Sequence, residues 1–198
     1  MAIEIVLPDS ARVEVTDMFR PSGRALNGLG DSVQAQLYWS SLDTTLTVLD
    51  SATGVSLANA VGTARLQART DRLFSNPEVV TILPRLDSLR AGGDTQDTVF
   101  VSADSLSDSL SVQAYALGGI PGARRVVYAF ATYPDTGAVV TLVPNDTVFT
   151  SSATGIAAVR VRLQQGPVPD SVVVTAIMRH VNGTLVPDSV VFVVEYRP

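Results

Sequence analysis

The sequence predicts an all-β protein folded as two tandem antiparallel β-sandwiches, residues 1–90 and 91–198. Three observations predict it. Apolar and polar residues alternate with a period of two, the pattern of strands with one buried face. Clusters of Gly, Pro, Asn and Asp interrupt these stretches roughly every 8–15 residues, as in a sandwich. No stretch places apolar residues at helical spacing between caps. Residues 83–89 come nearest, and Pro84 and Gly92-Gly93 keep that segment short.

Taken in order, residues 10–15 alternate with Val13 and Val15 on one face. Residues 33–39 alternate through Val33, Ala35, Leu37 and Trp39. Residues 62–68 alternate through Ala64, Leu66 and Ala68, with Arg65, Gln67 and Arg69 pointing the other way. The polar, glycine-bearing stretch 90–96 marks the expected domain boundary. Beyond it, strand patterns recur at 98–101, 107–117, 125–132, 139–143, 155–163, 171–178 and 189–196. Pro-Asp-Ser or Asp-Thr-Val echoes precede several of them, at Asp9, Asp97, Asp146, Asp170 and Asp188. They read as strand punctuation, because proline cannot donate to a ladder and Asp caps a turn. Asn182-Gly183 is a hairpin signal. The Val-rich run 190–194 must then be buried or paired. It either completes the second sandwich or docks on a partner.

Two family resemblances follow from these motifs. Tyr38-Trp39-Ser40-Ser41-Leu42-Asp43, Val48-Leu49-Asp50, Gly54-Val55 and Gly62-Thr63-Ala64-Arg65-Leu66-Gln67-Ala68 resemble the signature of bacterial Ig-like domains of group 2. The second half is similar to the group 1, invasin-type domains, through Gly119-Ile120-Pro121-Gly122, Thr154-Gly155-Ile156-Ala157-Ala158 and Val172-Val173-Val174-Thr175-Ala176. Its turn is shortened relative to that family. The resemblance implies Ig-like sandwiches, with an extra C-terminal strand in the second. It implies that Trp39 packs in the core and that Gly54 and Gly62 hold turns with positive φ. It also implies export, to a periplasmic or extracellular face. Residues 1–8 have neither a basic start nor a long apolar core, so a leader was removed upstream or the protein is made without one. Tyr196-Arg197-Pro198 reads as a natural end.

Composition narrows the chemistry. With no cysteine, there are no disulfides, thiolate metal sites or cysteine nucleophile. All 14 basic residues are arginine and 15 of the 19 acidic residues are aspartate, a bias typical of a high-GC genome. A net charge of −5 argues against nucleic acid as a partner. No apolar run reaches the length of a membrane span. His180, the one histidine, flanks a hairpin turn and is a poor base for a nucleophilic triad. Glu4, Glu14, Glu78 and Glu195 fall at strand edges or tails, so no carboxylate pair suits a glycosidase. No catalytic, cofactor-binding or metal-ligating residue is expected, and no cofactor. A calcium site near Asp94, Asp97, Asp104 and Asp108 is the one cation possibility weighed, against a solvated acidic linker. Arg124-Arg125 reads as a solvated loop.

The function expected from sequence is a non-catalytic module, not an enzyme, that holds a larger extracytoplasmic or membrane-associated assembly. Its partners would be other proteins, such as subunits of a membrane complex. The lysine-free, Asp-Ser-Val-rich style resembles proteins of Gemmatimonas-like bacteria, which makes an extrinsic subunit of a photosynthetic reaction-centre–antenna complex one expectation. The alternative is a cell-surface adhesin or stalk fragment of Ig-like repeats. A carbohydrate-binding module ranks lower, because most aromatic residues fall at strand positions.

Overall fold

The computed structural model describes residues 1–101, 105–135 and 137–197, without the side chain of Gln165. The described chain is all-β apart from one 3-10 turn. It divides into two compact units, Met1–Arg85 with Leu117–Gly119, and Leu86–Ala116 with Ile120–Pro198.

The first unit contains β1 (Ala2–Val6), β2 (Arg12–Glu14), β3 (Met18–Phe19), β4 (Ser22–Leu26), β5 (Ser32–Val33), β6 (Tyr38–Ser41), β7 (Leu46–Val48), β8 (Ser56–Ala58), β9 (Gly62–Thr70), β10 (Leu73–Phe74) and β11 (Glu78–Leu83). Strands β10, β9, β11 and β2 form one sheet in that order, and β6 also pairs with β9. The other side is built from β1-β4-β5 and β3-β8-β7. Strands β3 and β4 are parted only by Arg20-Pro21. Proline lacks the N–H that would carry the ladder through, so the course pairs with β8 before the break and β1 after it.

Two expected strands are shorter than their alternation suggests. In 10–15, Asp9, Ser10 and Ala11 all adopt positive φ (49°, 55° and 61°). They form a left-handed turn that carries the chain from β1 to β2, and pairing starts at Arg12. In 33–39, pairing stops after Val33 and resumes at Tyr38. Leu37 and Trp39 are nevertheless buried, so that part of the pattern reports burial rather than an unbroken ladder.

The second unit contains β12 (Arg85–Ala91), β13 (Gln96–Phe100), β14 (Leu110–Leu117), β15 (Arg125–Tyr133), β16 (Val139–Val143), β17 (Thr147–Phe149), β18 (Ile156–Gln165), β19 (Ser171–Met178) and β20 (Val190–Arg197). One sheet runs β12-β14-β18-β16 and the other β13-β20-β19-β15-β17. Residues 83–89 thus run from the end of β11 into β12, and the connection from β12 to β13 is 92–95, within the polar stretch 90–96. Residues 190–194 alternate buried and accessible, with Val190, Phe192 and Val194 in the core and Val191 and Val193 on the outer face. Strand β20 is an interior strand of its sheet, paired with both β13 and β19.

Both units follow one plan, the A-B-E-D sheet against A′-G-F-C of an Ig-like sandwich. In the second unit these are β12-β14-β18-β16 and β13-β20-β19-β15. In the first, β1, β4 with β3, β8 and β7 take the same places opposite β2-β11-β9-β6. In each unit the A′ strand runs parallel to the last strand: β2 beside β11, and β13 beside β20. The cores differ in size. Among the described residues, 22 buried apolar side chains cluster in the second unit and 11 in the first.

Candidate functional site

Trp39 is 6% exposed and sits in the first unit's core, as the family resemblance implies. Glycines make the room for it. A Cβ on Gly54, whose φ is +78°, would lie 3.0 Å from the indole Cδ1 and Cγ and 2.9 Å from Pro21. A Cβ on Gly23 would lie 3.1 Å from the indole Cη2 and 2.9 Å from the Glu4 carbonyl oxygen. Gly62 also holds positive φ, at +144°. Open clefts reach the tryptophan from two directions. One, of about 430 Å³, is lined by Arg20, Pro21, Gly23, Leu37 and Thr53. The other, of about 450 Å³, is lined by Ser41, Asp43, Leu46, Thr47 and Ser51.

The aspartates here are structural. Asp43 accepts hydrogen bonds from the Arg65 backbone N–H at 2.8 Å and from its guanidinium at 3.0 and 2.9 Å. That donor set holds the Asp43 carboxyl below its ordinary value, with the Arg65 side chain contributing most. Asp50 accepts from the Thr53 hydroxyl at 2.6 Å and the Ala52 N–H at 2.9 Å, which lowers it in the same way. Both are turn caps of the kind their sequence setting predicts.

The acidic residues weighed for calcium do not make a cation cage among the described residues, where no three acidic or histidine side chains converge. Asp97 instead accepts from the Asp108 N–H at 2.8 Å. Asp104 lies outside the described residues, as does Pro198. The four glutamates disperse. Glu4 pairs with Arg24 at 2.6 Å and Glu195 with Arg197 at 3.2 Å. Glu14 is the last residue of β2 and is fully buried. Arg124 departs from expectation, being 5% exposed rather than solvated. Its N–H donates to the Thr150 hydroxyl, which bonds onward to the Pro121 carbonyl, so the turn closes around it. Neither burial is visible in the period-two pattern, which assigns charged residues to the outside.

His180 lies in the connection from β19 to β20. Its N–H donates to the Thr184 carbonyl at 2.9 Å, and the Arg179 guanidinium donates to the Gly183 carbonyl at 2.8 Å. Arg179, His180 and Gly183 line, with Arg125, Val127 and Ile177, a recess of about 480 Å³. It is the cationic end of a broad apolar surface that sequence reasoning missed, the outer face of β15, β19 and β20. Register places Val127 opposite Ile177, Ala129 opposite Thr175 and Val191, and Ala131 opposite Val173 and Val193. Val191 is 48% exposed and Tyr133 54%. Alternation in 171–178 and 189–196 locates this face, but its valines and alanines look the same in sequence as core residues.

No protein-family model matches the chain, and no curated protein does. Among solved structures, the chain is similar to the Yersinia pseudotuberculosis adhesin InvE, with 16% identity and a TM-score of 0.41 over 96% of this chain and 58% of that one. It is similar to domains 4 and 5 of the S-layer protein SbsC, with 11% identity and a TM-score of 0.37 over 100% and 98%. It is also similar to the D0-D1 domains of intimin, with 14% identity and a TM-score of 0.32 over 96% and 97%. The chain thus spans just over half the length of the InvE chain, and likeness at these scores assigns no family.

Proposed function

We propose that this chain is a non-catalytic, tension-carrying spacer, a segment of an extracytoplasmic stalk built of Ig-like repeats. One observation carries the reading: in each unit the A′ strand and the last strand are a parallel pair. Residues 12–14 align with 81–83, and 96–100 with 193–197. Pulling the chain ends apart draws the start of one strand against the end of the other. The force then runs along the pair, and all its hydrogen bonds are loaded together. The ladders extend past the strand ends, with Val15 N–H bonded to the Leu83 carbonyl and Val101 N–H to the Arg197 carbonyl. A rigid β framework that resists extension suits a spacer better than a clamp that must open. Nothing in these sheets points to a photosynthetic complex as the assembly.

The test is single-molecule pulling, made simple by the absence of native cysteine. Handles at Gln96→Cys and Arg197→Cys load the β13–β20 pair in shear. Handles at Phe100→Cys and Arg197→Cys act on register partners at one end and peel the pair rung by rung. The expected result is a rupture force several-fold higher in shear. Equal forces in the two geometries would sink the proposal.

A further inference from the structure

The exposed face of β15, β19 and β20 is self-complementary, and we propose that it pairs with the same face of a second copy of this chain. Three rows of outward residues define it. The row nearest the cationic end is Val127 and Ile177. The middle row is Ala129, Thr175 and Val191. The third is Ala131, Val173 and Val193. Arg125 and Arg179 continue the face beyond the first row, one position outside the pair Val126 and Met178. Tyr133, Ser171 and Glu195 continue it beyond the third.

Consider a two-fold axis lying across the strands along the middle row. It brings the first row of one copy onto the third row of the other. The larger Val127 then meets the small Ala131, and Ile177 meets Val173. The axis lays Arg125 over the Tyr133 ring of the second copy, a cation–π arrangement. It lays Arg179 over Ser171, one strand spacing of about 4.8 Å from Glu195. Each copy therefore offers cations at one end of an apolar field, and a carboxylate and an aromatic ring at the other. That is the reciprocal matching an isologous contact needs. The Glu195–Arg197 pair on the same strand does not prevent it, because both groups are more than half exposed and such pairs contribute little.

The area sets the strength. A field about eight residues tall on three strands covers roughly 27 Å by 14 Å at ordinary strand dimensions. Two such patches bury on the order of 800 Å², below the size of a standard specific interface. The dimer is accordingly a weak one that rests on charge matching and assembles at high micromolar or higher concentration.

Sedimentation of the 198-residue chain at low salt, from about 10 µM to 1 mM, should show the mass rising from 20.9 kDa toward twice that value. Arg179→Glu alone and Glu195→Arg alone should each weaken association at least tenfold. The two together should restore it to within about threefold, since the swapped charges meet again across the axis. Ala129→Arg, which sets like charges face to face at the axis, should abolish it. Circular dichroism checks that each variant is folded, and all three sites are exposed. A monomer at every concentration overturns the proposal. So does a dimer indifferent to both charge reversals, or growth beyond the dimer. Capture of a different protein by a chain that stays monomeric would assign the face to that partner and overturn it equally.

Discussion

In the second unit the sheet β12-β14-β18-β16 is continuous, whereas its counterpart in the first is in two pieces, parted at Arg20-Pro21. The A′–G pair shows the same contrast, with five aligned positions in the second unit and three in the first. So do the cores, at 22 clustered buried apolar residues against 11 among the described residues. At roughly 1.5–3 kcal/mol per buried large apolar side chain, the first unit has about half the gross hydrophobic gain. One strand plan therefore tolerates very different amounts of supporting material. The smaller unit compensates with local devices: a single tryptophan cradled by glycines, and aspartates that close its turns.

Breaking the tryptophan cradle should have the largest effect. Trp39→Ala removes the first unit's largest core side chain and should cost about 3–5 kcal/mol, a large share of a small domain's stability. Calorimetry should show the first unit's transition lost and the second unit's unmoved. Phe192→Ala, fully buried in the larger core, should cost a comparable amount, yet leave a shifted second transition. If both substitutions abolish both transitions, the units are not independent. Next comes Gly54→Ala, which forces a side chain into φ +78° against Trp39 and Pro21. It should lower the first transition by the equivalent of roughly 1–2 kcal/mol or more, while Gly183→Ala, at positive φ but in open space, should cost less.

Under tension the first unit should yield first, having fewer aligned rungs. Unravelling 12–83 frees about 70 residues, roughly 250 Å of chain, and unravelling 96–197 about 100 residues, roughly 360 Å. A trace with the long step first would reverse the ranking.

Titration should separate the units by sign. Asp43 and Asp50, both in the first unit, are held below the ordinary carboxylate value of 3.8. Their contribution is present above that value and lost as pH falls through the lowered ones, so acid should weaken the first unit preferentially. Tyr128 and Tyr196 lie in the second unit. Burial raises both, and Asp97 adds to the effect on Tyr196, which is pushed up to about 12. Their contribution is complete below 10.0 and lost as pH climbs through the raised values, so alkali should weaken the second unit. The smallest effect expected is that of Tyr196→Phe. This hydroxyl has no hydrogen-bond partner among the described residues, so its removal should be neutral or slightly stabilising at pH 7 and should blunt the alkaline loss. Chemical denaturation across pH, followed by Trp39 fluorescence for the first unit and tyrosine absorbance for the second, reads both.

The all-β fold and the place of Trp39 were legible because period-two alternation and the Tyr38-Trp39-Ser40-Ser41 motif are local signals. The divided strand at Arg20-Pro21 was not, since pairing partners are a tertiary property. Nor was the left-handed turn at residues 9–11, whose Asp, Ser and Ala carry no glycine to announce it. Buried Glu14 and Arg124 defied a pattern that reads charge as exposure. The outer face of β15, β19 and β20 escaped because valine on a solvent-facing row is indistinguishable from valine on the core-facing row until register is known.

The interior position of β20 also bears on synthesis. A nascent chain leaves the ribosome from its N-terminus, and β13 and β19 are both complete before Val190 emerges. Until then each presents an unpaired edge, separated by the width of the missing strand. Such edges recruit any extended chain nearby, and a neighbouring nascent copy carries a β20 of identical sequence. The second unit therefore commits to its fold in one late step, when the eight residues of β20 insert between two waiting strands. A chain cut short at residue 189 would keep most of its core residues and yet retain a slot shaped for another molecule's final strand.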